Sequence, residues 1–186
     1  FNEDKKNPEK VLAAYNEDYH LGLWVTGKKV SNTWAHTDEQ STVFELKAYV
    51  ENILLRLGID LSKLVIGNLT DDLFATALSV NTKGGKRLAA FGVITKKQLK
   101  AFDIDNEVYY ADLNWNELMK AIKSVKVSYK EISKFPAVKR DLALLIDKQI
   151  QFAEIEKIAY DTDRKLLKSV SLFDVYEGKN LEAGKK

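Results

Sequence analysis

Lys139 and Arg140 stand side by side in SKFPAVKRDLALLID (133–147), after a proline and before an apolar run. Two cations at the mouth of a buried strand can neutralise phosphates or form local ion pairs, and Arg140 beside Asp141 leaves the second reading open. Arg164, Lys165 and Lys168 lead into LLKSVSLFDVY, while Tyr176, Lys179, Lys185 and Lys186 surround the loop after it. A tyrosine can stack on an unpaired base. Lys134, Lys139, Arg140, Arg164, Lys168, Tyr176 and Lys179 are therefore the candidate nucleic-acid-binding residues. The competing reading of the same residues is a solvated lysine face, and for any one cation taken alone it is the simpler one.

Other chemistry is thinly represented. His20 and His36 lie far apart, without a carboxylate or second histidine at ligand-like spacing, and read as surface or strand residues. The pairs Asp38–Glu39, Asp71–Asp72 and Asp103–Asp105 could hold Mg²⁺, but their polar, turn-like contexts suit loops and caps better. TKGGKR is glycine-rich yet lies in a hairpin with no helix after it, so it is not a phosphate-binding loop. No catalytic, metal or cofactor site is expected in this chain.

Composition agrees with a globular protein: 186 residues, 45% hydrophobic and 30% charged. The absence of cysteine excludes disulfides and fits a reducing cytoplasm. No apolar run approaches a bilayer span, so no membrane partner is expected. The start FNEDKKNPEK, without methionine, suggests a piece of something longer. The net charge of +2 hides a gradient: residues 1–119 carry 14 basic and 17 acidic side chains, residues 120–186 carry 15 and 10. Between 120 and 140 the basic residues Lys120, Lys123, Lys126, Lys130, Lys134, Lys139 and Arg140 face Glu131 alone. Two modules are indicated, the second suited to a polyanion.

The elements that must position these residues follow from periodicity. Asn7 before Pro8 opens a short helix through EKVLAAY. YHLGLWVTG alternates as a strand. TVFELKAYVENILLRLG is a helix, with Thr42 and Glu45 as capping box, an apolar stripe of Leu46, Tyr49, Val50, Ile53, Leu54 and Leu57, and Gly58 as stop. LVIGNL, FATALSVN, KRLAAFGVI and EVYYADL are strands, with NTKGG turning the hairpin. Thr95 with Gln98 and Asn114 with Glu117 open two more helices. The first module, 1–125, is mostly antiparallel sheet with helices.

In the second, 126–186, Pro136 sets an extended entry, DLALLI is a central strand, FAEIEKIAY is a helix burying Phe152, Ile155, Ile158 and Ala159, and LLKSVSLFDVY is a second strand. A ferredoxin-like split βαβ unit is the natural setting. There the two strands are not neighbours, and EGKNLEAGKK should turn into the strand that lies between them. The unit is therefore expected to be incomplete and unstable by itself.

The elements FP…RD (Phe135, Pro136, Arg140, Asp141) and LFDVY…GK (Leu172 to Tyr176, Gly178, Lys179), at this spacing, resemble the C-terminal region of bacterial phenylalanyl-tRNA synthetase beta subunits. Upstream, HLGLWVTG, VFELKAYVENILLRLGI and FGVITKKQLKAFDIDNEVYYADLNWNELM are similar to the preceding domain of that family, so the likeness spans roughly 15–186. The resemblance implies an α+β fold: a class II synthetase-like domain without catalytic motifs, then the first part of a ferredoxin-fold anticodon-binding domain. It implies tRNA(Phe) and an alpha subunit as partners in an (αβ)₂ heterotetramer. ATP and Mg²⁺ would serve the whole enzyme and no cofactor this fragment. Lys139 and Arg140 would face phosphate, and Asp141 would cap or pair at the strand start. An interaction scaffold with no RNA role is the alternative, and an independent enzyme using the acidic loops a third.

Overall fold

The computed structural model describes residues 7, 9–123, 125–126, 128–129, 131–176, 178, 181–182 and 184–186. Pro8 and Lys179 lie outside them. Two compact units are present, Phe1–Lys130 and Glu131–Lys186.

The first unit is built on a five-stranded antiparallel sheet in the order β1-β7-β6-β5-β4. Its strands are β1 (His20–Thr26), β4 (Leu64–Leu69), β5 (Phe74–Thr82), β6 (Arg87–Ile94) and β7 (Val108–Asn114). A two-stranded ribbon, β2 (Lys28–Val30) with β3 (Glu39–Gln40), was not foreseen from the sequence. Its strands are too short to show alternation, and the ion pairs Lys28–Asp38 (2.6 Å) and Lys29–Glu39 (3.2 Å) hold it. Asp38 and Glu39 are thus engaged in a ribbon. Asp71 accepts the Leu73 N–H at 2.8 Å, as a turn residue does.

Helix α1 (Val43–Arg56) starts where Thr42 Oγ1 accepts the Glu45 N–H. It ends in a Schellman motif: Gly58 N–H donates to Leu55 O and Ile59 N–H to Leu54 O, both at 2.9 Å, with Gly58 at φ +78°. Leu46, Val50 and Leu54 are fully buried against the sheet, each stabilising the unit by about 1.5–3 kcal/mol. Tyr49, expected in that stripe, sits at its exposed edge, where its hydroxyl donates to Glu45 Oε1 at 2.6 Å.

Helices α2 (Lys96–Ala101) and α3 (Trp115–Ile122) open at Thr95 and Asn114, whose side chains accept the N–H groups of Gln98 and Glu117. Leu118 of α3 joins α1 over Ala89, Phe91, Ala111 and Leu113, so the larger core lies on one face of the sheet, while Leu99 of α2 packs with Ile94 and Val108 in a smaller cluster. The N-terminal helix expected through EKVLAAY is a single 3₁₀ turn, Val11–Ala14, after Asn7 Oδ1 accepts the Glu9 N–H.

In the second unit the regular element is α4 (Phe152–Thr162), held at its start by Glu154 Oε1 accepting the Gln151 N–H at 2.9 Å. Phe152, Ile155 and Ala159 are half-buried, but Ile158 is 67% exposed, which corrects the four-residue buried face. DLALLI and LLKSVSLFDVY are not paired as strands among the described residues. A strand exists only through its ladder, and among the described residues only Ile146, at the end of DLALLI, has a backbone neighbour. Leu142, Leu145 and Phe173 are consequently exposed. The ladder that does form is short: Ile146 and Lys186 exchange backbone hydrogen bonds at 3.2 and 2.9 Å, Lys148 N–H donates to Gly184 O, and Asp147 bridges Lys185 antiparallel. The residues after the glycine-rich loop thus lie along the end of the 141–147 segment.

Candidate nucleic-acid interface

Lys134 follows Ser133, whose Oγ accepts the Phe135 N–H at 3.2 Å and donates to Phe135 O at 3.3 Å. That local turn turns Lys134 and Phe135 to solvent ahead of Pro136. Lys139 and Arg140 are exposed and have no ion-pair or hydrogen-bond partner among the described residues. Arg140 does not pair with Asp141, and Asp141 caps nothing there, contrary to the structural role expected of it. These two cations keep their charge available to a polyanion.

The cations after α4 are more constrained. Arg164 is ion-paired with Asp161 one turn back. Lys168 Nζ donates to Lys165 O at 3.3 Å. The turn that carries them is organised by Asp163, whose Oδ1 accepts the N–H groups of Lys165 and Leu166, both at 2.9 Å. Those hydrogen bonds, Leu166 first, hold the Asp163 carboxyl below its ordinary value. Tyr176 is 56% exposed and could offer its ring face.

Two further cations from the sequence are committed elsewhere. Lys185 pairs with Asp147 at 2.8 Å. Lys186 Nζ donates to Lys148 O at 3.0 Å and Ile150 O at 2.7 Å, tying the short ladder to the start of α4. They link the end of the chain to the segment before α4. Sequence had no means of separating them from Lys139 and Arg140, because their acceptors lie more than thirty residues away, 36 and 38 for Lys186.

In the first unit, sequence missed a different pair. His20 Nδ1 lies 2.8 Å from Asp112 Oδ1 and 3.0 Å from Oδ2, across adjacent strands and 92 residues apart. On the same open face Trp24 stacks on Tyr110 at 4.0 Å between centroids, over Gly22. Alternation in both strands signalled that these residues share an outward face, but not that the strands are neighbours. Among the described residues no three His, Asp or Glu side chains gather as a metal site, and no helix is long and apolar enough to cross a membrane.

Residues 133–186 match the family model described as the ferredoxin-fold anticodon binding domain, which places the second unit in that class. Residues 2–115 match the model of the phenylalanyl tRNA synthetase beta chain CLM domain. That match covers more than half of the chain, and the chain belongs to the phenylalanyl-tRNA synthetase beta chain family. The chain is 83% identical over its whole length to the phenylalanine–tRNA ligase beta subunit of Bacteroides thetaiotaomicron and 48% identical to that of Porphyromonas gingivalis. The beta subunit of Syntrophotalea carbinolica is 33% identical over 91% of the chain. The chain spans 23% of the length of the first two relatives and 21% of the third.

Proposed function

We propose that this chain is part of the beta subunit of a phenylalanine–tRNA ligase and contributes tRNA binding and subunit assembly to the charging of tRNA(Phe). Residues 1–125 form the class II synthetase-like, non-catalytic module, which serves assembly with an alpha subunit in an (αβ)₂ heterotetramer. Residues 126–186 are the first part of the anticodon-binding module, with Lys134, Lys139, Arg140, Arg164, Lys168, Tyr176 and Lys179 toward the RNA. ATP and Mg²⁺ act in the whole enzyme, in the cytoplasm, and this fragment holds no catalytic group. The observation that supports this reading best is the anticodon-binding match over 133–186 falling on the segment where Lys139 and Arg140 stand exposed, with no side-chain partner among the described residues.

The test is titration of the whole protein carrying this chain with tRNA(Phe), an anticodon-altered tRNA(Phe) and a non-cognate tRNA across a salt series. Tighter, salt-sensitive binding of tRNA(Phe), lost on changing the anticodon, is expected. Equal affinity for all three removes the anticodon reading. The second reading, a protein-interaction scaffold, draws on the exposed apolar Leu142, Leu145, Leu172 and Phe173. It predicts no tRNA affinity with a salt slope.

A further inference from the structure

The open face of the sheet holds a cavity of about 360 Å³ where β1, β5, β6 and β7 end, lined by His20, Asn81, Arg87, Asp112 and Asn114 and by Gly85 of the hairpin turn. It contains none of the residues assigned to RNA. Its polar groups are sorted by kind. The Arg87 side chain has no ion-pair or hydrogen-bond partner among the described residues, and Lys83 and Lys86 of the same hairpin stand exposed beside it in the chain. Arginine without a carboxylate partner offers a planar fork of donors to an anion.

Asp112 supplies the opposite charge. His20 Nδ1 holds its carboxylate at 2.8 and 3.0 Å, which fixes its orientation, and the side chain remains one-third exposed. A carboxylate has about four lone-pair sites, so positions remain for a second donor.

The two amides complete the pattern. Asn81 Nδ2 donates to Ser79 Oγ at 3.0 Å, leaving Asn81 Oδ1 as an acceptor. Asn114 Oδ1 accepts the Glu117 N–H at 2.9 Å, leaving Asn114 Nδ2 as a donor. One free acceptor and one free donor complement a carboxamide.

We propose that this cavity binds a small α-amino acid with a carboxamide side chain. Its carboxylate pairs with Arg87, its ammonium with Asp112, and its amide with Asn81 and Asn114. The inference stands on the cavity and on the solvent-accessible polar atoms that line it, independently of the role proposed for the second unit.

The test is a ¹⁵N–¹H NMR titration of the whole protein carrying this chain, with three probes. These are L-glutamine, L-glutaminamide (no carboxylate) and glutaramate (no amine). Saturable shifts at residues 20, 81, 87, 112 and 114 are expected with L-glutamine, and each analogue should bind at least about tenfold more weakly. Arg87→Gln should abolish the preference for L-glutamine over L-glutaminamide, and Asp112→Asn the preference over glutaramate. Arg87→Lys keeps the charge and should retain part of the affinity, which separates loss of binding from loss of fold. No shift at about 10 mM L-glutamine, or equal affinity for all three probes, overturns the proposal. So does an unchanged carboxylate preference in a folded Arg87→Gln variant.

Discussion

Asp163 Oδ1 accepts the Leu166 N–H at 2.9 Å, and the same oxygen accepts the Lys165 N–H, so one carboxylate shapes the turn that leaves α4. Both donors favour its charged form, and the carboxyl is held below its ordinary value of 3.8. The stabilisation is therefore complete above the unfolded-state value and is lost as pH falls through the lower folded value. Protection of the Lys165 and Leu166 amides, taken relative to the unstructured exchange rate at each pH, should be high at neutral pH and fall in acid. Asp163→Ala should show the low protection at every pH, and unchanged protection in that variant would show that the turn is held by something else.

Gly58 closes α1 at φ +78°, and a Cβ built there would come 2.6 Å from Val125 Cγ1. Gly58→Ala meets both the left-handed backbone and that methyl group, at an expected cost of about 1–3 kcal/mol. Val125→Ala removes the methyl contact but not the backbone strain. The double variant should be less destabilised in urea than the sum of the singles, and strict additivity would place the whole cost in the backbone.

Leu54 and Ile158 were both expected on buried helix faces, but Leu54 is fully buried and Ile158 is 67% exposed. Leu54→Ala should cost about 2–5 kcal/mol, since it leaves a cavity against the sheet. Ile158→Ala should stay within about 0.5 kcal/mol, as surface substitutions do. Thermal or urea unfolding of the two variants gives the comparison directly, and a large loss at Ile158 would mean that a partner covers α4 in the sample.

Removal of charge should separate the cations that face solvent from those that hold the fold. In the whole protein carrying this chain, Lys139→Ala with Arg140→Ala should lower the slope of log affinity for tRNA against log salt by about 1.4–1.8, two phosphates' worth. Lys186→Ala should instead lower the protection of the Lys148 and Ile150 amides, because it removes the tie to this segment's carbonyls and loosens the turn in which those N–H groups donate to Gly184 O and Asp147 O, and leave the slope alone. A slope unchanged by the double variant would leave those two cations as solvated surface.

Much of the first unit was legible in the chain. α1 could be placed from Thr42, Glu45, the Leu46–Val50–Leu54 stripe and Gly58, because caps and a 3.6-residue period are local properties. The five strands of the sheet followed from alternation and the NTKGG turn. The short ribbon was not legible, since three- and two-residue strands carry no period and depend on cross-strand ion pairs. In the second unit apolar runs identified two strand-forming segments. A run states what a segment can bury, and only a neighbouring strand makes it a strand.

The sequence by itself determined the helix caps, the strand-forming segments, the family likeness and the basic bias of the last third, all of which are written in neighbouring residues. Tertiary structure alone decided which cations are spent. Lys185 and Lys186 meet Asp147, Lys148 and Ile150, while Lys139 and Arg140 meet no described partner. It also brought His20 to Asp112 and set Arg87 in the same cavity. The physical reason is the same in each case: a hydrogen bond or ion pair depends on ångström distances, and strand pairing creates those distances between residues that lie tens of positions apart in the chain.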